Sequence, residues 1–254
     1  MAAGKREQTQ NLGDGSSAWL VPVAIIAVVA LLIGVVIWLN AGADGDDPAA
    51  AETAATEPAA VEHPDSVATP DLSSEEARDP DDLLAVGPVD APVGMVVFSD
   101  FQCQYCARWS HETLPVLMEY VDRGDLRIEF RDVNIYGDDS ERAAKALLAA
   151  AQQDAFLEYH EALFPEGEIR SSGELSEDAL VASAKELGLD VEQFRTDLTS
   201  DQTAEVIAAN AQQGWDLGTM STPAFIIGGT PTIGAQPTAE FTRMVDEKLA
   251  AAEG

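Results

Sequence analysis

The chain has 254 residues, enough for one sizeable domain with accessory segments but not for two large domains. Its net charge of −31 excludes nucleic acid as a partner, because that binding needs clustered Lys and Arg, and the 14 basic residues here are scattered. The only two cysteines exclude a multi-bridge disulfide scaffold, and three scattered histidines, His63, His111 and His160, supply no four-ligand zinc set, so neither metal nor cofactor is expected.

Residues 1–18 carry Lys5 and Arg6 and are expected in the cytoplasm. Residues 19–39 form an unbroken apolar run without a charge. At ~1.5 Å rise per residue it spans ~31 Å, matching a bilayer's hydrocarbon core, with Trp19 and Trp38 at its two interfaces. The flanking charges, Lys5 and Arg6 before and Asp44, Asp46 and Asp47 after, predict one transmembrane helix, N-terminus inside, with everything beyond it outside the cell. The alternative is a signal peptide cleaved after Ala43; the run is longer than the ~7–15 apolar residues usual there.

Residues 40–87 shift to Ala, Pro, Asp, Glu, Ser and Thr, with 13 acids against Arg78 between Asp44 and Asp82. Such a segment buries too little apolar area to offset its ordering entropy, so a disordered linker is expected, reaching ~40 Å.

The folded domain is predicted over 88–254. A β-branched run at 93–98 reads as a strand buried on both faces. A helix follows at 104–121, kinked at Pro115, and then an alternating strand at 126–133. Helical patterns at 140–152, 155–164, 176–187, 191–198 and 203–217 form a block. Residues 224–227 and 232–233 read as strands, and 238–251 as the last helix. The predicted class is α/β, with helices inserted at about 138–217, between the second and third of these strands.

Cys103-Gln104-Tyr105-Cys106 stands between a buried strand and a helix. At a helix N-terminus, free N–H groups and the dipole stabilise a thiolate, the attacking species in disulfide exchange. Cys103 is therefore predicted to be the reachable, reactive thiol and Cys106 the shielded, resolving one. A structural bridge is the plainer reading, but so short a loop removes little chain entropy. Thr222-Pro223 precedes a strand and by spacing alone marks only a break. Were that bond cis, the Thr222 backbone could pair with an extended substrate.

The run from Phe98 to Cys106 with Trp109 and Leu114-Pro115, the helix motif from Phe156 to Phe164, and Thr222-Pro223-Ala224-Phe225 through Gly234-Ala235-Gln236-Pro237 resemble the DsbA-like thiol oxidoreductases. The resemblance covers residues 88–254. It implies a thioredoxin fold interrupted by helices, with Pro223 in the cis form against the Cys pair. It also implies a membrane-bound, quinone-linked partner that reoxidises the pair.

Two features depart from that family's pattern. Gln104-Tyr105 replaces the Pro-His of its strongest oxidants, which implies a less oxidising pair. Val97 stands where many relatives carry a buried acid that relays protons to the inner thiol. Asp100 is close by, but a carboxylate there would raise the Cys103 pKa, so no catalytic role is assigned to it. Trp109 and Tyr105 are candidates for an apolar rim around the site, and His111, about two turns along the helix, is too distant to act as base.

The expected function is an extracytoplasmic thiol:disulfide oxidoreductase, anchored in the cell membrane. It oxidises reduced exported proteins through Cys103 and Cys106, with Thr222, Pro223, Gln104 and Tyr105 framing the substrate. A surface reductase or isomerase and a non-catalytic binding module are the alternatives.

Overall fold

In the computed structural model, residues 69–253 are described. The predicted cytoplasmic segment, the 19–39 run and the linker up to residue 68 lie outside them. Among the described residues no helix is long and apolar enough to cross a membrane.

The sheet is built on β1 (Ala85–Val86), β2 (Val93–Ser99) and β3 (Leu126–Asp132), completed by β4 (Ala224–Ile227) and β5 (Thr230–Ile233). Its order is β1-β3-β2-β4-β5, with β2 parallel to β3 and the other pairs antiparallel. Between β2 and β3 the chain forms α1 (Gln104–Glu112) and α2 (Leu114–Asp122). These replace the single kinked helix expected there. The break falls at Thr113, because Pro115 in the next turn cannot donate to an α1 carbonyl.

Between β3 and β4 run α3 (Asp138–Ala151), α4 (Phe156–Leu163), α5 (Glu177–Glu186), α6 (Val191–Leu198) and α7 (Asp201–Asp216), and α8 (Thr238–Ala252) ends the domain. The insertion thus lies where the apolar periodicities put it. However, α7 serves the sheet: Gly214 lies so close to Val133 and Phe98 that a Cβ would meet both.

Strand alternation divides the core in two. Val93, Met95, Val97, Leu126, Ile128, Phe130, Phe225 and Ile227 face the larger cluster, which also holds Cys103, Cys106 and most of the helical block. Val96, Phe98, Val133, Ala224 and Ile226 face a smaller one, closed by Leu72 and Leu217.

Residues 71–87, expected to be part of the disordered linker, lie on this second face. Leu72 N–H donates to Gly229, the Ala77 and Arg78 N–H groups donate to the Glu129 carboxylate, and β1 pairs with β3. The physical reason is on β3. Its polar positions, Arg127, Glu129 and Arg131, are almost fully buried. Glu129 pairs with Arg127 at 3.2 Å and with Arg131 at 3.1 Å, and Asp82 from the N-terminal segment meets Arg131 at 2.7 Å. Composition marks 71–87 as unable to fold alone; it orders because a charged strand face requires its backbone and carboxylates as partners.

Replacing Glu129 by Gln leaves two buried guanidinium groups short of charge. The expected loss is about 3–5 kcal/mol in urea unfolding, with Arg131→Lys costing less.

His160 is buried among Phe101, Phe130, Phe156 and Phe164. Burial lowers its pKa to about 4. The unfolded chain takes that proton near ~6.5, so stability is lost as the pH falls from about 6.5 to about 4. Urea midpoints measured across that window should flatten in a His160→Leu variant.

Candidate active site

β2 ends at Ser99, and Asp100 organises the turn that follows. Its buried carboxylate accepts from Gln102 N–H at 2.8 Å, the Ser140 hydroxyl at 2.6 Å and Tyr136 N–H at 3.1 Å. Asp100 thus ties the β2–α1 turn to the start of α3, and its carbonyl accepts from Cys103 N–H at 3.0 Å.

Cys103 then caps α1 with extended backbone (φ −96°, ψ 113°), and Cys106 and Ala107 N–H donate to its carbonyl. Both cysteines are free thiols. The Thr222–Pro223 peptide is cis, and the Cys103 thiol donates to the Thr222 carbonyl at 3.2 Å. The structure therefore brings together Cys103, Cys106, Thr222 and Pro223 from opposite ends of the domain.

The Cys103 pKa is lowered to about 6, first by a hydrogen bond from the Cys106 thiol. Burial opposes this. Thr222 and the N–H groups of Cys106 and Tyr105 assist it. The Thr222 Oγ1 atom is buried without a partner when the site is a dithiol, so its hydroxyl is available to a thiolate. Burial pushes the Cys106 thiol well up, and sharing with Cys103 adds to this, while Ser99 draws it down. Two thiols alike in sequence thus divide into an ionised and a protonated one.

Cys103 differs from expectation in access: only 2% of its surface is exposed. The mouth of α1 is roofed by the cis-proline loop, so an incoming sulfur has to displace the Thr222 contact. Gln104 is held by the helical insertion, its amide donating to Glu168 at 2.8 Å and to the Gly167 carbonyl at 3.4 Å. Tyr105 is exposed, and the Arg108 guanidinium lies 5.6 Å from its ring centre. Trp109 belongs to the core, against Phe225 and Phe241, not to a rim.

Sequence reasoning missed Tyr136, an exposed ring whose phenol pKa is raised chiefly by the Cys103 charge. It also missed Ser99 and Asp132, register partners at the ends of β2 and β3. A signal for both was available. In 93-95-97-99 and 126-128-130-132 each last position breaks an otherwise apolar alternation. Beside the cis-proline loop a groove of about 230 Å³ is lined by Met220, Ser221, Phe225, Pro231, Thr232 and Ile233.

Alkylation of the reduced protein should titrate with a midpoint near pH 6. In the reduced form the ionised Cys103 stabilises the fold fully above the unfolded thiol's ~8.5, and this is lost as pH falls to about 6. Thr222→Val should raise the midpoint by about one unit, read as thiolate absorbance against pH.

Comparison with known proteins agrees with this geometry. The profile of the thioredoxin family matches residues 80–247. The probable disulfide bond formation protein D of Bacillus cereus is 31% identical over 150 residues, covering 57% of this chain and 69% of that protein. The crystal structure of oxidised BdbD from Bacillus subtilis superposes with a TM-score of 0.59 at 21% identity, over 72% of this chain and 96% of that one. Wolbachia pipientis alpha-DsbA1 gives a TM-score of 0.60 at 19% identity, over 68% and 94%. On the family match over most of the folded unit and the likeness to a disulfide bond formation protein, the chain belongs to the thioredoxin family and, within it, to the DsbA-like thiol:disulfide oxidoreductases.

Proposed function

We propose that the protein is an extracytoplasmic oxidase that passes its Cys103–Cys106 disulfide to cysteines of exported proteins. The observation that carries this is the opposed shift of the two thiols, Cys103 lowered to about 6 and Cys106 raised. A substrate thiolate attacks the Cys103 sulfur, Cys106 leaves, and the substrate's second thiolate displaces Cys103 from the mixed disulfide. The low Cys103 pKa favours that last step, because a stable thiolate leaves readily. Thr222, Pro223 and Tyr105 frame the incoming chain, and the adjoining groove suits an extended segment with apolar side chains. Gln104 acts indirectly, through its tie to Glu168. The 19–39 run anchors the domain in the cell membrane, N-terminus inside, and a quinone-linked membrane protein restores the disulfide.

One observation favours the opposite direction, a surface reductase or isomerase. A Cys103 pKa of about 6 is nearer the ~7 of a reductant of this superfamily than the ~3.5 of its strongest oxidant. The reduction potential separates the two readings: a value near ~−120 mV identifies an oxidase and one near ~−270 mV a reductase. Cys103→Ser should abolish oxidation of a reduced model substrate, and Cys106→Ala should accumulate mixed disulfides with substrates and with the reoxidising partner in cells. Wild-type oxidation by Cys103→Ser overturns the proposal.

A further inference from the structure

Away from the thiol pair, the seam between the helices that follow β2 and the inserted ones is not closed. A cavity of about 480 Å³ lies where α1 and α2 meet α4 and the turn after it. That volume falls within the ~300–1,000 Å³ of sites that enclose small organic molecules. Its walls are apolar: Leu114, Pro115 and Met118 from α2, Leu157 from α4, and Phe164 at the end of α4.

Three polar side chains line this space without partners of their own. His160 is only 4% exposed, and burial is the sole cause of its lowered pKa, with no hydrogen bond to the imidazole contributing. With a pKa of about 4 it is uncharged at neutral pH, so one ring nitrogen is a free acceptor. Glu161, the next residue of α4, and Glu166, on the turn Pro165–Gly167, line the same cavity and are exposed to solvent. Among the described residues the salt bridges of the insertion lie elsewhere, as in Lys145 with Glu141 and Arg195 with Glu177, and neither Glu161 nor Glu166 is paired. A buried acceptor and two unpaired carboxylates thus border one apolar space.

We propose that this cavity binds a small apolar amine, an aryl or alkyl body that ends in an ammonium group. The body packs on the apolar walls, and the ammonium donates to the His160 imidazole while Glu161 and Glu166 neutralise its charge. Each alternative class leaves something unmet. An uncharged apolar molecule offers the imidazole no donor and the carboxylates no counter-charge. An anionic ligand is repelled by both carboxylates and by a chain whose net charge is −31. The site is separate from the exchange chemistry, since neither cysteine nor the cis-proline loop lines the cavity.

The test is calorimetric titration of the full chain at neutral pH with naphthylethylamine, naphthylethanol and naphthylpropionate. The three share one ring system and differ in the charge of the polar end. The amine should bind about fivefold more tightly than the alcohol, the upper range for a partly exposed ion pair, and the acid should not bind. Glu161→Gln combined with Glu166→Gln should bring the amine down to the affinity of the alcohol and leave the alcohol unchanged. Both positions are exposed, so this variant keeps its fold. His160→Leu should weaken amine and alcohol together, because each donates to the imidazole. Leu157→Trp, which fills the cavity, should abolish binding, and Cys103→Ser should bind as wild type does. Failure of the amine to bind, or equal affinity of amine and alcohol for the wild type, overturns the proposal. So does binding that survives Leu157→Trp, or that is lost in Cys103→Ser, which would put the ligand at the thiols.

Discussion

A single hydrogen bond between two thiols organises the chemistry of this domain. The Cys106 S–H donates to the Cys103 sulfur and is the largest cause of that sulfur's lowered pKa. It works because the two residues differ in where α1 places them. Cys103 is the cap, facing free N–H groups, while Cys106 lies one position past the first turn, where burial disfavours its charge. The same helix start thereby creates both the thiolate and the donor that holds it. Thr222 adds a second contact from the far end of the chain, and the cis-proline loop roofs the pair.

The rest of the fold maintains that arrangement. The helical insertion touches the motif at several points. Ser140 binds the Asp100 carboxylate, the Gln102 amide donates to the Arg170 carbonyl, and Gln104 reaches Glu168. Phe101, just before the motif, packs on His160 and Phe164. The dipeptide between the cysteines is thus coupled to the insertion through Gln104 and to solvent through Tyr105. Its influence on the sulfurs passes through backbone position, unlike the direct charge of a histidine.

On the opposite face of the sheet the physics differs. The smaller apolar cluster covers β2 and β4, whereas β3 presents Arg127, Glu129 and Arg131. Burial of such a row is tolerable only with every charge matched, and residues 71–87 supply the matching groups. Arg78 shows the economy of the match. Its N–H serves Glu129 while its guanidinium reaches Glu76 and the Ala91 carbonyl. The segment leading into the domain is therefore part of it.

Much of this was legible in the residues themselves. The apolar periods of β2, β4 and the inserted helices, and a Cys-x-x-Cys at a strand-to-helix junction, follow from local pattern, because burial on one face demands a repeat of 2 or 3.6 residues. Local pattern is also why α6 and β4 begin and end where expected. Tertiary structure alone decided three things. It recruited residues 71–87, since the partners of a charged strand face can come from any distance along the chain. It covered Cys103, since the roof is built from Thr222, 119 positions away. It gave Asp132 and Ser99 a shared face behind the sulfurs, since strand register is set by pairing and not by either strand's own sequence.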